Sequence, residues 1–241
     1  DEIKPNNLSV LNNLGTTYKE LGNLKKAVIF YEKIIRINPN HTNAQFNLGV
    51  VFYNLRELEK AKNFFKKTTE IQPNYALAFV NLANVYVELK EYENAISNYQ
   101  KAIEINPKLV SAYNNLGLVF RILNDYQNAI SCYEKAIKIK PDFWQAINNQ
   151  GLAYFEKDNI YQSIKLFEKA ISIEDNAEPL LGLASCLRVK DIKSELLQAV
   201  STKLNEIHDV KHSVRYWDII LGQWLTRYIS TILNRYCTLE Q

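Results

Sequence analysis

The chain has 241 residues, with 29 Lys and Arg against 26 Asp and Glu, and the resulting net charge of +3 makes no electrostatic case for nucleic acid or an anionic membrane. Apolar residues at 47% and charged residues at 23% exclude a disordered chain, and 7 Gly with 6 Pro are too few for a loop-rich β sandwich. Three widely spaced cysteines (Cys132, Cys186, Cys237) fit neither a disulfide framework nor a metal knuckle, which points to a reducing compartment, the cytoplasm.

No apolar run approaches the roughly 20 residues of a membrane helix, and no charged-then-apolar leader opens the sequence. With no Met anywhere, Asp1 is not expected to be the natural start. Residues 1–7 read as the tail of a preceding repeat, because Pro5 begins a series: Pro5, Pro39, Pro73, Pro107 and Pro141 stand 34 residues apart, each two residues after an Ile. A fixed period of this length is the mark of stacked helical hairpins. It divides residues 8–175 into five units, 8–41, 42–75, 76–109, 110–143 and 144–176.

Each unit repeats the same internal spacing. Leu14-Gly15, Leu48-Gly49, Leu82-Ala83, Leu116-Gly117 and the variant Gln150-Gly151 are followed three residues on by Tyr18, Phe52, Tyr86, Phe120 and Tyr154. Small residues come next (Ala27, Ala61, Ala95, Ala129, Ser163), then Tyr31, Phe65, Tyr99, Tyr133 and Phe167, then Ile34, Thr68, Ala102, Ala136 and Ala170. Spacings of three and four put these on one helix face, and the small residues let two helices approach while the aromatics fill the space between them. Gly22-Asn23 and Asn124-Asp125 mark the turn inside a hairpin, each Pro ends a second helix, and Asn40, Asn74 and Asp142 are placed to cap the helix that follows. One hairpin cannot bury both its apolar faces, so the units must stack.

These residues resemble the tetratricopeptide repeat (TPR) family. The resemblance implies an all-α, right-handed superhelix of antiparallel hairpins, an α-solenoid, with the first helix of each hairpin on the concave side. A degenerate sixth repeat is expected over 177–206, where Asp175 replaces the Pro and Leu183-Ala184 restart the pattern one residue early. Beyond it, Val214, Trp217, Leu221, Trp224, Tyr228, Ile232 and Tyr236 predict a long amphipathic helix within 207–241. That helix either caps the array or meets a following domain or a second copy of the chain. The stretch from Leu204 through His208, His212 and Trp217 to Trp224 is similar to a family of bacterial transferases linked to cell-surface polysaccharide synthesis, departing from it at Gln223. On that resemblance the chain is the repeat arm of a larger enzyme. His208 and His212 alone make a poor metal site.

One polar position never changes: Asn13, Asn47, Asn81, Asn115 and Asn149, just before each Leu-Gly position and off the core face. Its neighbours on the same stripe vary freely, and Asn is a mediocre helix former, so helix propensity does not explain the row. A carboxamide offers donors and an acceptor together and can pair with the N–H and C=O of an extended peptide. The phrases Asn12-Asn13-Leu14-Gly15 and Asn114-Asn115-Leu116-Gly117 look like the TPR arm of O-linked N-acetylglucosamine transferases, and that resemblance implies a peptide-holding Asn ladder at the five positions, with Asn12, Asn84, Asn114 and Asn148 as further polar groups. The other reading is a row that bonds to neighbouring helices and stiffens the stack. Five hydrogen bonds contribute at most about 2.5–7.5 kcal/mol net, so affinity would be modest.

Binding of an acidic C-terminus through a basic clamp is not expected, since the corresponding positions carry Asn12, Phe46, Val80, Asn114 and Asn148 beside Ser9, Asn43, Leu77, Ser111 and Gln145. No cofactor, metal or catalytic constellation is expected in the array: His41, His208 and His212 have no nucleophile partner, and no phosphate-cradling Gly loop occurs. The sequence therefore predicts a non-catalytic scaffold for an extended polypeptide. The rivals are a substrate-recruiting arm of a transferase and a homo-oligomerisation module.

Overall fold

The structure is a computed structural model that describes residues 7–174 and 177–189. Among these residues there are eleven α-helices and no strand: α1 (Leu8–Glu20), α2 (Leu24–Ile37), α3 (Thr42–Asn54), α4 (Leu58–Ile71), α5 (Ala76–Glu88), α6 (Tyr92–Ile105), α7 (Val110–Ile122), α8 (Tyr126–Ile139), α9 (Trp144–Glu156), α10 (Ile160–Ile173) and α11 (Ala177–Val189). The chain forms two compact units, residues 1–166 and 167–241. The long helix expected within 207–241, His208, His212 and Cys237 lie outside the described residues.

In the first unit the helices pair as hairpins, α1 with α2, α3 with α4, α5 with α6 and α7 with α8, and each hairpin packs its second helix on the first helix of the next. The predicted packing code explains why. Ala27, Ala61, Ala95 and Ala129 are fully buried, as are Tyr31, Phe65 and Tyr133, and Tyr99 is nearly so. The ring of Phe65 lies so near α3 that a Cβ on Gly49 would stand 2.6 Å from it, and the ring of Tyr31 would lie equally close to a Cβ on Gly15. Stacking buries the Leu of the Leu-Gly pair: Leu48, Leu82 and Leu116 are 0, 3 and 5% exposed. In the fifth hairpin Ser163 takes the small position, and its hydroxyl donates to the Gly151 carbonyl (2.8 Å), satisfying a polar group that burial would otherwise penalise.

The bends are also periodic. Gly22, Arg56, Lys90, Asn124 and Asp158, again 34 residues apart, all adopt positive φ between 60 and 73°. The next residue is the N-cap of each second helix, and the Asn23 and Asp125 side chains accept from the Lys26 and Asn128 amides. The caps of the first helices correct the sequence reading. They are His41, Tyr75, Leu109 and Phe143, one residue later than Asn40, Asn74 and Asp142. The residue after each Pro is still inside the turn. In two of these turns the Asn before the Pro closes the loop, Asn38 Oδ1 accepting from Asn40 N and Asn106 Oδ1 from Lys108 N, both at 3.1 Å.

In the second unit Phe167 and Ala170 are fully buried, and the Phe167 ring lies against Gly182 of α11, leaving no room for a Cβ there. Leu183 and Cys186 of α11 are buried, so the restarted pattern does point a face inward.

Candidate functional site

Within the first unit the first helices touch one another in series, α1 to α3, α3 to α5, α5 to α7 and α7 to α9, while the second helices make no corresponding contacts. Helices that meet across every hairpin must lie on the shorter, inner side of a curved stack. That wall carries the Asn row. Asn13 is exposed, and Asn47, Asn81, Asn115 and Asn149 are half-buried, turned away from the core by the Leu-Gly residues beside them.

The amides differ in how they are engaged. Asn47 Oδ1 accepts from Lys19 Nζ (3.2 Å), one hairpin earlier. Asn81 Nδ2 donates to Leu77 O of its own helix (2.8 Å). From α5 to α9 the carboxamides form a chain. Asn115 Nδ2 donates to Asn84 Oδ1 (3.1 Å), Asn114 Nδ2 to Asn115 Oδ1 (3.2 Å), and Asn149 Nδ2 to Asn114 Oδ1 (3.0 Å). The structure thus brings Asn84, Asn114, Asn115 and Asn149 together and leaves Asn13, Asn47 and Asn81 outside the chain. Asn148 is only 4% exposed, with a buried, unpartnered Oδ1, so it offers no amide to a ligand; the Asn12 Oδ1 is buried and unpartnered too.

The rest of the wall has charge and apolar surface. Glu88 receives Tyr53 Oη (3.3 Å) and pairs with Arg56 (3.0 Å), both from the preceding hairpin. Arg121 pairs with Glu156 (2.8 Å) in the same relation one and two hairpins on. Burial pushes the Glu156 carboxyl above its ordinary range, and Arg121 only partly pulls it back. Leu77 and Ile122, 46 and 42% exposed, add apolar surface to the wall. Lys19 and Arg121, the two inward cations, are engaged with Asn47 and Glu156 and form no clamp for an acidic terminus.

One functional detail escapes the sequence reading: the buried aromatics reach the wall with their hydroxyls. Tyr31 Oη and Thr16 Oγ1 are 3.1 Å apart, and Tyr99 Oη donates to Asn84 Oδ1. The signal lies in pairs fifteen residues apart. Tyr goes with Thr16 and Asn84, whereas Phe65 goes with Val50. Tyr133 stands with Leu118, and its buried hydroxyl lies beside the Arg121 guanidinium without hydrogen-bond geometry to it. Burial raises the Tyr99 and Tyr133 hydroxyls well above the ordinary phenol range, so both stay protonated. Burial also pushes the Cys132 thiol up to about 11, which suits a packing residue and not a nucleophile. His41 is a helix cap, its Nδ1 accepting from Ala44 N (3.2 Å). Among the described residues no helix is long and apolar enough to cross a membrane.

Residues 74–142 and 114–179 match two models of the tetratricopeptide repeat, residues 20–102 match anaphase-promoting complex (cyclosome) subunit 3, and residues 153–241 match the LIC12162 family transferase model. Among solved structures, the chain resembles MamA at 30% identity over 67% of this chain and 95% of that one (TM-score 0.63). It resembles YrrB, described as a TPR protein with an unusual peptide-binding site, at 21% identity over 79 and 95% (TM-score 0.62). It also resembles the type IV pilus biogenesis factor PilW at 15% identity over 87 and 97% (TM-score 0.76). The last two likenesses concern the fold alone. No curated relative matches the chain.

Proposed function

The chain belongs to the tetratricopeptide repeat family, whose stacked hairpins serve protein–protein interaction, and on that premise we propose that its inner wall binds an extended polypeptide through the Asn row. The observation that supports this reading is the recurrence of one carboxamide per hairpin, exposed at Asn13 and half-buried in the other four, on helices that line the inside of the stack. Recognition runs through the backbone of the ligand. Asn13, Asn47, Asn81, Asn115 and Asn149 supply donors and acceptors, with Asn12, Asn84 and Asn114 beside them, and Leu77 and Ile122 give modest side-chain preference. Asn148 contributes through packing. The array needs no cofactor for this, and a cytoplasmic setting goes with the buried thiol of Cys132.

The test is peptide affinity after Asn47→Ala, Asn81→Ala and Asn115→Ala together. A loss of tenfold or more is expected, since three hydrogen bonds contribute about 1.5–4.5 kcal/mol. Unchanged affinity in a folded variant would leave the row as scaffolding.

A second reading has its own support. The match of residues 153–241 to the LIC12162 family transferase supports reading the array as a substrate-recruiting arm for transfer chemistry in that C-terminal part. The two readings are compatible, because recruitment uses the same groove. Activity that depends on the Asn row only for polypeptide acceptors would join them. Association of two copies through 207–241 is the remaining reading; light scattering with and without that segment decides it, an unchanged monomer dismissing it.

A further inference from the structure

We propose that Tyr99 is a positioning residue that sets the polarity of the carboxamide row from α5 to α9, and that the row therefore holds an extended polypeptide in one direction, amino end toward α9 and carboxyl end toward α5. The polarity stands on the free protein. The direction rests on the peptide-binding reading above.

The amides between these helices are oriented alike. At both crossings the later helix donates and the earlier accepts: Asn115 Nδ2 to Asn84 Oδ1, then Asn149 Nδ2 to Asn114 Oδ1, with Asn114 Nδ2 to Asn115 Oδ1 joining the two steps on α7. Such a chain is all-or-none. Turning one carboxamide over would set N–H against N–H at the next step unless every other amide turned with it. Two arrangements are self-consistent, and something outside the row must choose between them. Tyr99 sits at its end. Its hydroxyl is buried and stays protonated, and a phenol is a stronger donor than acceptor, so it holds the oxygen of Asn84 toward itself. Among the described residues no other buried aromatic hydroxyl bonds to the row: Tyr31 bonds Thr16, Phe65 has none, and Tyr133 lies beside Arg121.

This choice fixes what remains for a ligand. Asn84 Oδ1 already receives two donors, so Asn84 offers only N–H. Asn149 directs its nitrogen toward α7, which leaves its oxygen pointing the other way. At both ends the oxygen side of the amide faces up the array and the nitrogen side faces down. A residue of an extended peptide presents its N–H before its C=O along the chain. Pairing N–H with amide oxygen and C=O with amide nitrogen lays that chain from α9 toward α5.

The experiment has two arms. In the free protein, Tyr99→Phe is expected to fold, since Phe65 occupies the same site one hairpin earlier. The side-chain amide resonances of Asn84, Asn115 and Asn149 are followed by NMR. Tyr99→Phe should displace all three, whereas Tyr31→Phe should displace none. A change confined to Asn84 overturns the polarity claim. In the second arm a capped peptide of alternating serine and threonine, long enough to span three hairpins, carries a nitroxide at one end or the other. The amino-end label should broaden Asn149 several-fold more than Asn84, and the carboxyl-end label the reverse, with the bias lost in Tyr99→Phe. Equal broadening by both labels overturns the direction while sparing peptide binding. No broadening from either label overturns the direction together with the peptide-binding reading, and the free-protein arm still decides the polarity.

Discussion

The second and third hairpins follow one plan and treat its central ring differently. In the second, Phe65 packs against Gly49, tilts against Phe46 and ends at the apolar Val50 position. In the third, Tyr99 occupies the same place with Ala83 in place of the glycine, and its hydroxyl reaches Asn84 and through it an amide chain extending to α9. Both rings are buried and both hold their hairpins closed. The ring body fastens the hairpin, and the atom at its tip decides whether the fastening connects to the inner wall.

Substitutions at these two sites should pull the two roles apart. Phe65→Ala removes the ring body and should cost about 3–5 kcal/mol, read as a lower midpoint in urea unfolding, because a fully buried aromatic leaves a cavity. Phe65→Tyr keeps the body and places a hydroxyl where Val50 offers no partner. It should cost about 1–3 kcal/mol, and Val50→Asn in the same chain should recover much of the loss. If that double variant is no more stable than Phe65→Tyr alone, the pairing rule between positions fifteen apart is wrong. Tyr99→Phe should have the smallest effect, about 1 kcal/mol at neutral pH. Its pH dependence carries the sign. Tyr99 has a folded pKa raised above the ordinary 10.0, so its contribution is fully present below about pH 10 and is lost as pH rises beyond. Phe has nothing to lose there, so the stability gap between the two proteins should shrink in an alkaline thermal-melt series. A gap that widens would mean the phenol is ionised in the fold.

The comparison also shows what a sequence makes legible. The period, the Ala and Gly approach sites and the buried rings are set by spacing alone, because a repeated hairpin has one way to close. The Asn row was legible as a row for the same reason. Its internal bonding was not, since it depends on which of Asn84, Asn114, Asn115 and Asn149 reach across to the next helix, and adjacent Asn residues on α7 look equivalent in the text. The burial of Asn148 follows from the same rotation question, and nothing in Asn148-Asn149 distinguishes the inward amide from the groove amide. The one-residue shift of the first-helix caps arose where two residues in succession suited a turn.

The left-handed residue at each bend bears on how such a molecule ages and adapts. Glycine meets that backbone without penalty, and Asn or Asp at small cost, but Arg56 and Lys90 pay about 1 kcal/mol each for holding it. Arg56 also pairs with Glu88 on the inner wall, but at the other bends, in loops away from the Asn row, exchanges can raise or lower heat tolerance bend by bend while leaving that wall unaltered. Endurance and recognition are thus free to drift on separate clocks.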